Sequence, residues 1–297
     1  MPDAITEQRN PDSEHIDRLP TASLLALINR QDQTVPGAVE KALPDITKAV
    51  DAIVERFQQG GRLFYIGSGT SGRLGVLDAA ECPPTFGVPA GRVQGVLAGG
   101  DGAVFEAVEG AEDDRAAGER DLRDRECAPL DAVVGISASG RTPYVLGALD
   151  YARSLGALTV SLTSNPDSAL TAAADISIVP ATGPEIITGS TRMKAGTAQK
   201  LVLNMISTAV MICMGYVLGN LMVKVQLKNA KLIERGRRIV SDATGCAIEE
   251  AAQALQEAAN DVRIAILIVK HRLDPEAARR HLASAGDNLW KALESAP

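Results

Sequence analysis

The stretch DAAECPPTFG, residues 78–87, sets a carboxylate, Glu81, beside a thiol, Cys82, with two prolines directly behind them. Three chemistries are open to it. Cys82 is a nucleophile only where a base activates it, and none of the three histidines, His15, His271 and His281, lies near it in sequence. Glu81 is a proton donor or acceptor where its surroundings tune it, and an ordinary last-turn residue where the prolines simply end a helix. A second acidic stretch, EGAEDD at 109–114, offers Glu109, Glu112, Asp113 and Asp114. Such a run also reads as the solvated start of a helix.

Two turns have the composition to hold an anion. YIGSGTSGR, residues 65–73, carries Gly67, Gly69 and Gly72 in the GxGxxG spacing between a strand pattern and a helix pattern. A dinucleotide would require an acid about 20 residues further on, at the end of the second strand. That strand ends VLAGG instead, and the next acid is Asp101. The hydroxyls of Ser68, Thr70 and Ser71, with backbone N–H groups from Gly69 onward, suit a terminal phosphate monoester better. VVGISASGRTPYV, residues 133–145, repeats the device with Ser137, Ser139, Gly140 and Thr142. One such loop also reads as a helix cap with glycines for close packing. Two of them, at the C-terminal ends of neighbouring strands, point to a phosphorylated polyol or sugar at the sheet edge.

The elements that must position these loops are short apolar runs separated by helical patterns: 62–67, 93–98, 132–137, 158–163 and 175–180. Runs without polar alternation are strands buried on both faces, so the expected core is a three-layer αβα fold around a five-stranded parallel sheet. Residues 21–60 read as N-terminal helices, with Thr21 as N-cap and Gly60-Gly61 as the stop. The run 201–223 approaches membrane-span length, but Asn204, Ser207, Thr208 and Asn220 interrupt it, and it is read as one buried helix, central or at a subunit interface. After about residue 243 the chain is Ala-rich and echoes itself: EEAAQALQEAANDVRIAI (249–266) aligns at an offset of 27 with EAARRHLASAGDNLWKAL (276–293). Two helix pairs are too few for a solenoid and imply a small C-terminal helical domain, similar to a ubiquitin-associated unit. The expected division is 1–57 helical, 58–242 phosphosugar-binding with long following helices, and 243–297 helical.

Composition limits the partners. The chain of 297 residues has 30 Lys and Arg against 37 Asp and Glu, a formal charge of −7, and no basic tract, which argues against a nucleic-acid partner. Cys82, Cys127, Cys213 and Cys246 show no CxxC spacing and no metal-ligand cluster, so no metal or other cofactor is expected and a reduced, cytoplasmic setting is the default. The polar N-terminus carries no secretory h-region, and no membrane association is expected.

The two Ser/Gly loops resemble those of the sugar isomerase (SIS) fold, whose members bind phosphosugars. GPEIITGSTRMKAGTAQK, residues 183–200, resembles a signature shared by the glucokinase-regulatory-protein type and the N-acetylmuramic acid 6-phosphate etherase family. TEQRNPDSEHID (6–17), AAECPPTFG (79–87), EGAEDD (109–114) and ASGRTPYV (138–145) are similar to the etherase family itself, so the likeness runs from about residue 6 to the C-terminus. It implies a carbon–oxygen lyase that cleaves the C3 lactyl ether of N-acetylmuramic acid 6-phosphate, giving N-acetylglucosamine 6-phosphate and D-lactate. The route implied is elimination from the ring-opened aldehyde followed by addition of water, which two carboxyl groups can serve without metal or nucleotide.

The resemblance also selects Glu81 and Glu112 as the catalytic pair, Glu81 as the acid that protonates the lactate oxygen and Glu112 as the C2 base. In the signature block, Ser190, Thr191 and Lys194, with Arg192, are expected to open a helix and hold phosphate or the lactyl carboxylate, or merely to cap that helix. Glu185 is expected to meet sugar hydroxyls or serve the ring-opening step, or to be a loop carboxylate paired to Arg192. Arg9 and Asn10 are expected to fold over a substrate site, and a homodimer with sites near its interface is expected. Two other functions share the fold: a phosphosugar sensor, disfavoured because the regulator type is a longer chain with a duplicated domain, and an aldose–ketose isomerase.

Overall fold

A parallel sheet covered on both faces needs strands with no wet side, and LFYIG, AVVGI and LTVSL are buried at every position. The computed structural model describes residues 4–227 and 229–295. Its elements divide into two compact units, Met1–Ala80 with Gly91–Ser207, and Glu81–Ala90 with Thr208–Pro297.

In the first unit, α1 (Thr21–Asp32), α2 (Val35–Lys41) and α3 (Leu43–Gln58) precede the sheet. Thr21 is the first helical residue of α1, not its cap: Pro20 occupies that position without a side-chain bond, its fixed φ pre-setting the entry. The sheet comprises β1 (Leu63–Gly67), β2 (Val93–Leu97), β3 (Ala132–Ile136), β4 (Leu158–Leu162) and β5 (Ile176–Ile178). All pairings are parallel, in the order β2-β1-β3-β4-β5. The crossovers are α4 (Gly69–Phe86), α5 (Arg115–Asp124), α6 (Pro143–Ser154) and α7 (Ala169–Ala173). Phe64, Ile66 and Val133 join Leu122 of α5, Val145 and Leu149 of α6 and Leu170 of α7 in one apolar core. On the opposite face the Tyr65 hydroxyl donates to Leu203 O of α8 (Lys194–Cys213) at 3.5 Å. The αβα layering expected from the apolar runs is therefore present.

Two expectations are corrected. Pro83 and Pro84 do not end α4; they lie inside it, and the Gly87 N–H still donates to Pro83 O at 2.9 Å, so the last turn keeps its helical bond although both prolines lack a donor. The apolar run 201–223 is not one helix. Helix α8 stops at Cys213, the chain turns at Gly215, and β6 (Val217–Leu218) pairs antiparallel with β7 (Leu221–Met222) across Gly219-Asn220. No helix among the described residues is long and apolar enough to cross a membrane.

The second unit holds α9 (Ala230–Thr244), α10 (Ile248–Glu257), α11 (Val262–His271), α12 (Pro275–Ser284) and α13 (Leu289–Glu294). The offset of 27 survives in three dimensions. Ala251 and Ala278, Leu255 and Leu282, Val262 and Leu289, and Ala265 and Ala292 are all buried in one core. Each helix pair turns through two residues of positive φ, Ala259-Asn260 and Gly286-Asp287, and then caps its second helix with a side chain, Asp261 or Asn288.

Candidate functional site

The two Ser/Gly loops leave the sheet side by side because Gly67 of β1 pairs with Ile136 of β3, and Ser68 and Ser137 are the next residues. Since β2 lies on one side of β1 and β3 on the other, the connections diverge there and open a crevice at the carboxyl edge. A cavity of about 320 Å³ follows the first loop, lined among others by Ser68, Gly69, Arg73, Val108, Glu109 and Glu112. Within it the Ser68 hydroxyl donates to Glu112 Oε2 at 3.3 Å. Glu112 is held from behind: its carbonyl accepts the Tyr144 N–H at 3.0 Å, and the buried Tyr144 hydroxyl donates to Asp121 of α5.

The acidic stretch resolves into distinct tasks. Asp114 caps α5, accepting the Ala117 N–H, and that bond together with Arg120 lowers its pKa below the ordinary carboxylate value. All four acids are exposed, and of them Glu109 and Glu112 line the cavity. Charge pattern alone could not separate these four, because capping and cavity lining are set by the turn preceding α5.

In the second loop, Ser137 Oγ lies 2.8 Å from Thr142 Oγ1 and 3.4 Å from Ser139 Oγ, and it accepts the Gly140 N–H at 3.1 Å. Gly140 adopts φ +68°, and a Cβ there would fall 2.3 Å from Ser168 Oγ. The three hydroxyls form a knot whose rotatable protons can turn to an oxyanion.

Other expected residues are used differently. Ser71 Oγ donates to Gln199 Oε1 of α8 at 3.0 Å and is buried, so that hydroxyl holds the two helices together. Thr70 remains partly exposed at the loop. Glu185 faces neither solvent nor Arg192: it is 0% exposed, and its two oxygens accept the N–H groups of Lys194 and Ala195 at 3.0 and 2.9 Å, capping α8. Ser190 and Thr191 lie in the turns just before α8, half-buried, and do not open the helix themselves.

Lys194 is the first residue of α8, and its Nζ donates to Gln31 Oε1 at 2.9 Å. It lines a separate cavity with Asn10, Asp12, Gln31 and Thr182. Burial pulls its pKa below the usual lysine value, although Glu185, Asp32 and Asp12 push the other way. The N-terminal segment is fastened there. Asn10 donates to Gln31 Oε1 and Pro184 O, Thr6 accepts from Asn165 Nδ2, and a Cβ on Gly189 would stand 3.2 Å from Glu7 Oε2. Asn10 therefore docks against the signature loop, while Arg9 stays exposed.

Glu81 belongs to the second unit and is exposed on α4, with the prolines extending the helix beyond it. Its neighbour Cys82 is 2% exposed, which withdraws the thiol from any ligand. Sequence reasoning gave no role to Arg73, which lines the cavity of Ser68 and Glu112; its position four residues after Gly69, one helical turn into α4, was the available signal.

A model described as the glucokinase regulatory protein N-terminal SIS domain matches residues 45–153, and an SIS domain model matches residues 116–209. The chain is 54% identical over 297 residues to the N-acetylmuramic acid 6-phosphate etherase of Pasteurella multocida (strain Pm70), covering 99% of each. It is 54% identical over 291 residues to the protein of that name from Vibrio campbellii, covering 98% of this chain and 94% of that one. With the Glaesserella parasuis protein of the same name, identity is 56% over 279 residues, covering 94% and 92%.

Proposed function

Because the chain belongs to the N-acetylmuramic acid 6-phosphate etherase family, we propose that it cleaves the lactyl ether of this phosphosugar by elimination and rehydration, with Glu112 and Glu81 as its acid/base pair. An alkoxide leaves poorly, so C3–O cleavage needs a carbanion-stabilising carbonyl next to C2, and ring opening supplies the C1 aldehyde. Glu112 takes the C2 proton, and the electron pair forms the C2=C3 bond. Glu81 protonates the departing lactate oxygen, then deprotonates the water that adds to C3, while a proton returns to C2. The enzyme is on this reading a carbon–oxygen lyase, giving N-acetylglucosamine 6-phosphate and D-lactate.

The observation that carries this reading is the hydrogen bond from Ser68 to Glu112 inside the cavity of the first Ser/Gly loop. It supports a base held within reach of the anion-binding turn, so that seating the phosphate also seats the sugar chain against the carboxylate. The Ser137, Ser139 and Thr142 hydroxyls, with Gly69 and Thr70, support the phosphosugar subsite. Ser190 and Thr191 border it on this reading, and Lys194 and Glu185 hold the framework. A homodimer is supported by the exposure of Met205 (38%) and Ile212 (49%) on α8.

The test is incubation with N-acetylmuramic acid 6-phosphate in heavy water, followed by lactate assay and NMR of the sugar product. Lactate release with deuterium at C2 is expected. Release with the original hydrogen retained at C2 would eliminate the elimination route, and an intact substrate would eliminate the etherase reading.

A further inference from the structure

The cavity of Ser68 and Glu112 contains one basic side chain among its lining residues, Arg73, and the mechanism above leaves it unused. Its Nε donates to Val104 O at 2.9 Å, which fixes the plane of the guanidinium and commits only one edge of the fork. Among the described residues no carboxylate forms a salt bridge with it, although Glu109 and Glu112 line the same cavity. The side chain is half-buried, and the wall around it is made of small apolar groups, Ala98, Ala103, Ala107, Val108 and Ala111.

A cation tethered by one edge, with its terminal amino groups unclaimed among the described residues and a methyl-sized apolar wall beside it, is complementary to a short hydroxy-acid fragment: a carboxylate bearing a small alkyl group. We propose that Arg73 receives the carboxylate of the substrate's lactyl group, with the methyl group of that fragment against the Ala and Val wall. Resting on the etherase reading, this makes Arg73 a specificity residue for the ether side chain. The phosphate is left to the Ser/Gly loops, whose hydroxyls and helix N-terminus already form an anion cradle. A paired carboxylate also no longer repels Glu112 as the latter approaches C2.

The experiment compares two compounds on two proteins: N-acetylmuramic acid 6-phosphate and its lactamide analogue, in which a neutral amide replaces the carboxylate, on wild type and Arg73→Met. The competitive Ki of N-acetylglucosamine 6-phosphate, which has no lactyl group, is measured alongside. Wild type is expected to prefer the acid over the amide in kcat/KM by about 10- to 100-fold, the usual worth of a charge-assisted pair. Arg73→Met should lose that preference and leave the Ki unchanged, and Arg73→Lys should restore part of it. A Met variant that still discriminates would overturn the assignment. Equal weakening of the acid, the amide and the Ki would overturn it too, pointing to phosphate binding or a structural role. Wild type that cleaves the ether of neither compound, releasing no lactate from the acid and no lactamide from the amide, would instead sink the etherase reading, and the Arg73 assignment with it.

Discussion

Ser68 and Glu112 hold one another across the mouth of the first loop, Oγ to Oε2 at 3.3 Å. A hydroxyl has a single proton to donate, so a phosphate taking that proton releases the Glu112 oxygen. On the proposed roles, the carboxylate is thus restrained until the group that anchors the substrate claims the Ser68 proton. Glu112→Gln should lower kcat by about 100- to 10,000-fold and abolish exchange of the C2 hydrogen with solvent. Glu81→Gln should lower lactate release by a similar factor while C2 exchange continues. NMR of recovered substrate in heavy water separates the two variants, and the opposite pattern would exchange their roles.

Gly140 should tolerate no side chain. Its φ is +68°, and a Cβ would stand 2.3 Å from Ser168 Oγ and 2.8 Å from Thr163 Oγ1. Gly140→Ala is expected to cost about 3 kcal/mol from backbone strain and overpacking together. Urea unfolding measures the loss, and KM should rise because relieving the clash shifts the loop backbone and displaces the N–H that holds Ser137.

Lys194 gives stability a distinctive pH dependence. Burial lowers its pKa below 10.5 in the folded chain, so between that lowered value and 10.5 the unfolded chain binds more protons. Stability contributed through this group therefore rises with pH across that window, and below it the charged lysine carries a constant penalty. Relative to Lys194→Met, the wild type should gain stability as pH is raised through the window and show a pH-independent difference beneath it. A urea-unfolding series of both proteins on the alkaline side measures this; a wild type that loses stability relative to Lys194→Met as pH rises would contradict it.

Ala259 and Gly286 occupy equivalent places in the C-terminal repeat, at φ +52° and +67°. Only the second has the residue suited to that conformation. Ala259→Gly is therefore expected to stabilise the chain by about 0.5–1 kcal/mol, the left-handed penalty less the extra entropy of glycine. Thermal unfolding reports it as a higher Tm with activity unchanged.

The sheet was legible because burial on both faces writes itself as unbroken apolar runs, and all five strands lie where those runs do. The turn at Gly215 was not, because Leu201 to Val223 is largely apolar and uncharged, and helix and hairpin bury the same residue types. Pro83-Pro84 misled for a related reason: the rule that proline ends a helix concerns its missing donor, and near a C-terminus the bonds after it can persist. At the site, the Ser/Gly loops announced themselves through spacing. Glu185 did not, since a carboxylate that caps a distant helix looks like any loop acid until the helix start is known. Arg73 was hidden by its own motif, where glycines and hydroxyls explain the stretch without it.

The repeat at the C-terminus has a kinetic side. Its helices α10 to α13 pack mainly on their sequence neighbours, whereas β1 must find β3, Leu63 against Ala132, across an intervening strand and two helices. Chain closure over short loops precedes closure over long ones. The helices at the end of the chain thus need little search to assemble, and the crevice beside the phosphosugar loops is bounded by the strand pairing of largest sequence separation in the sheet.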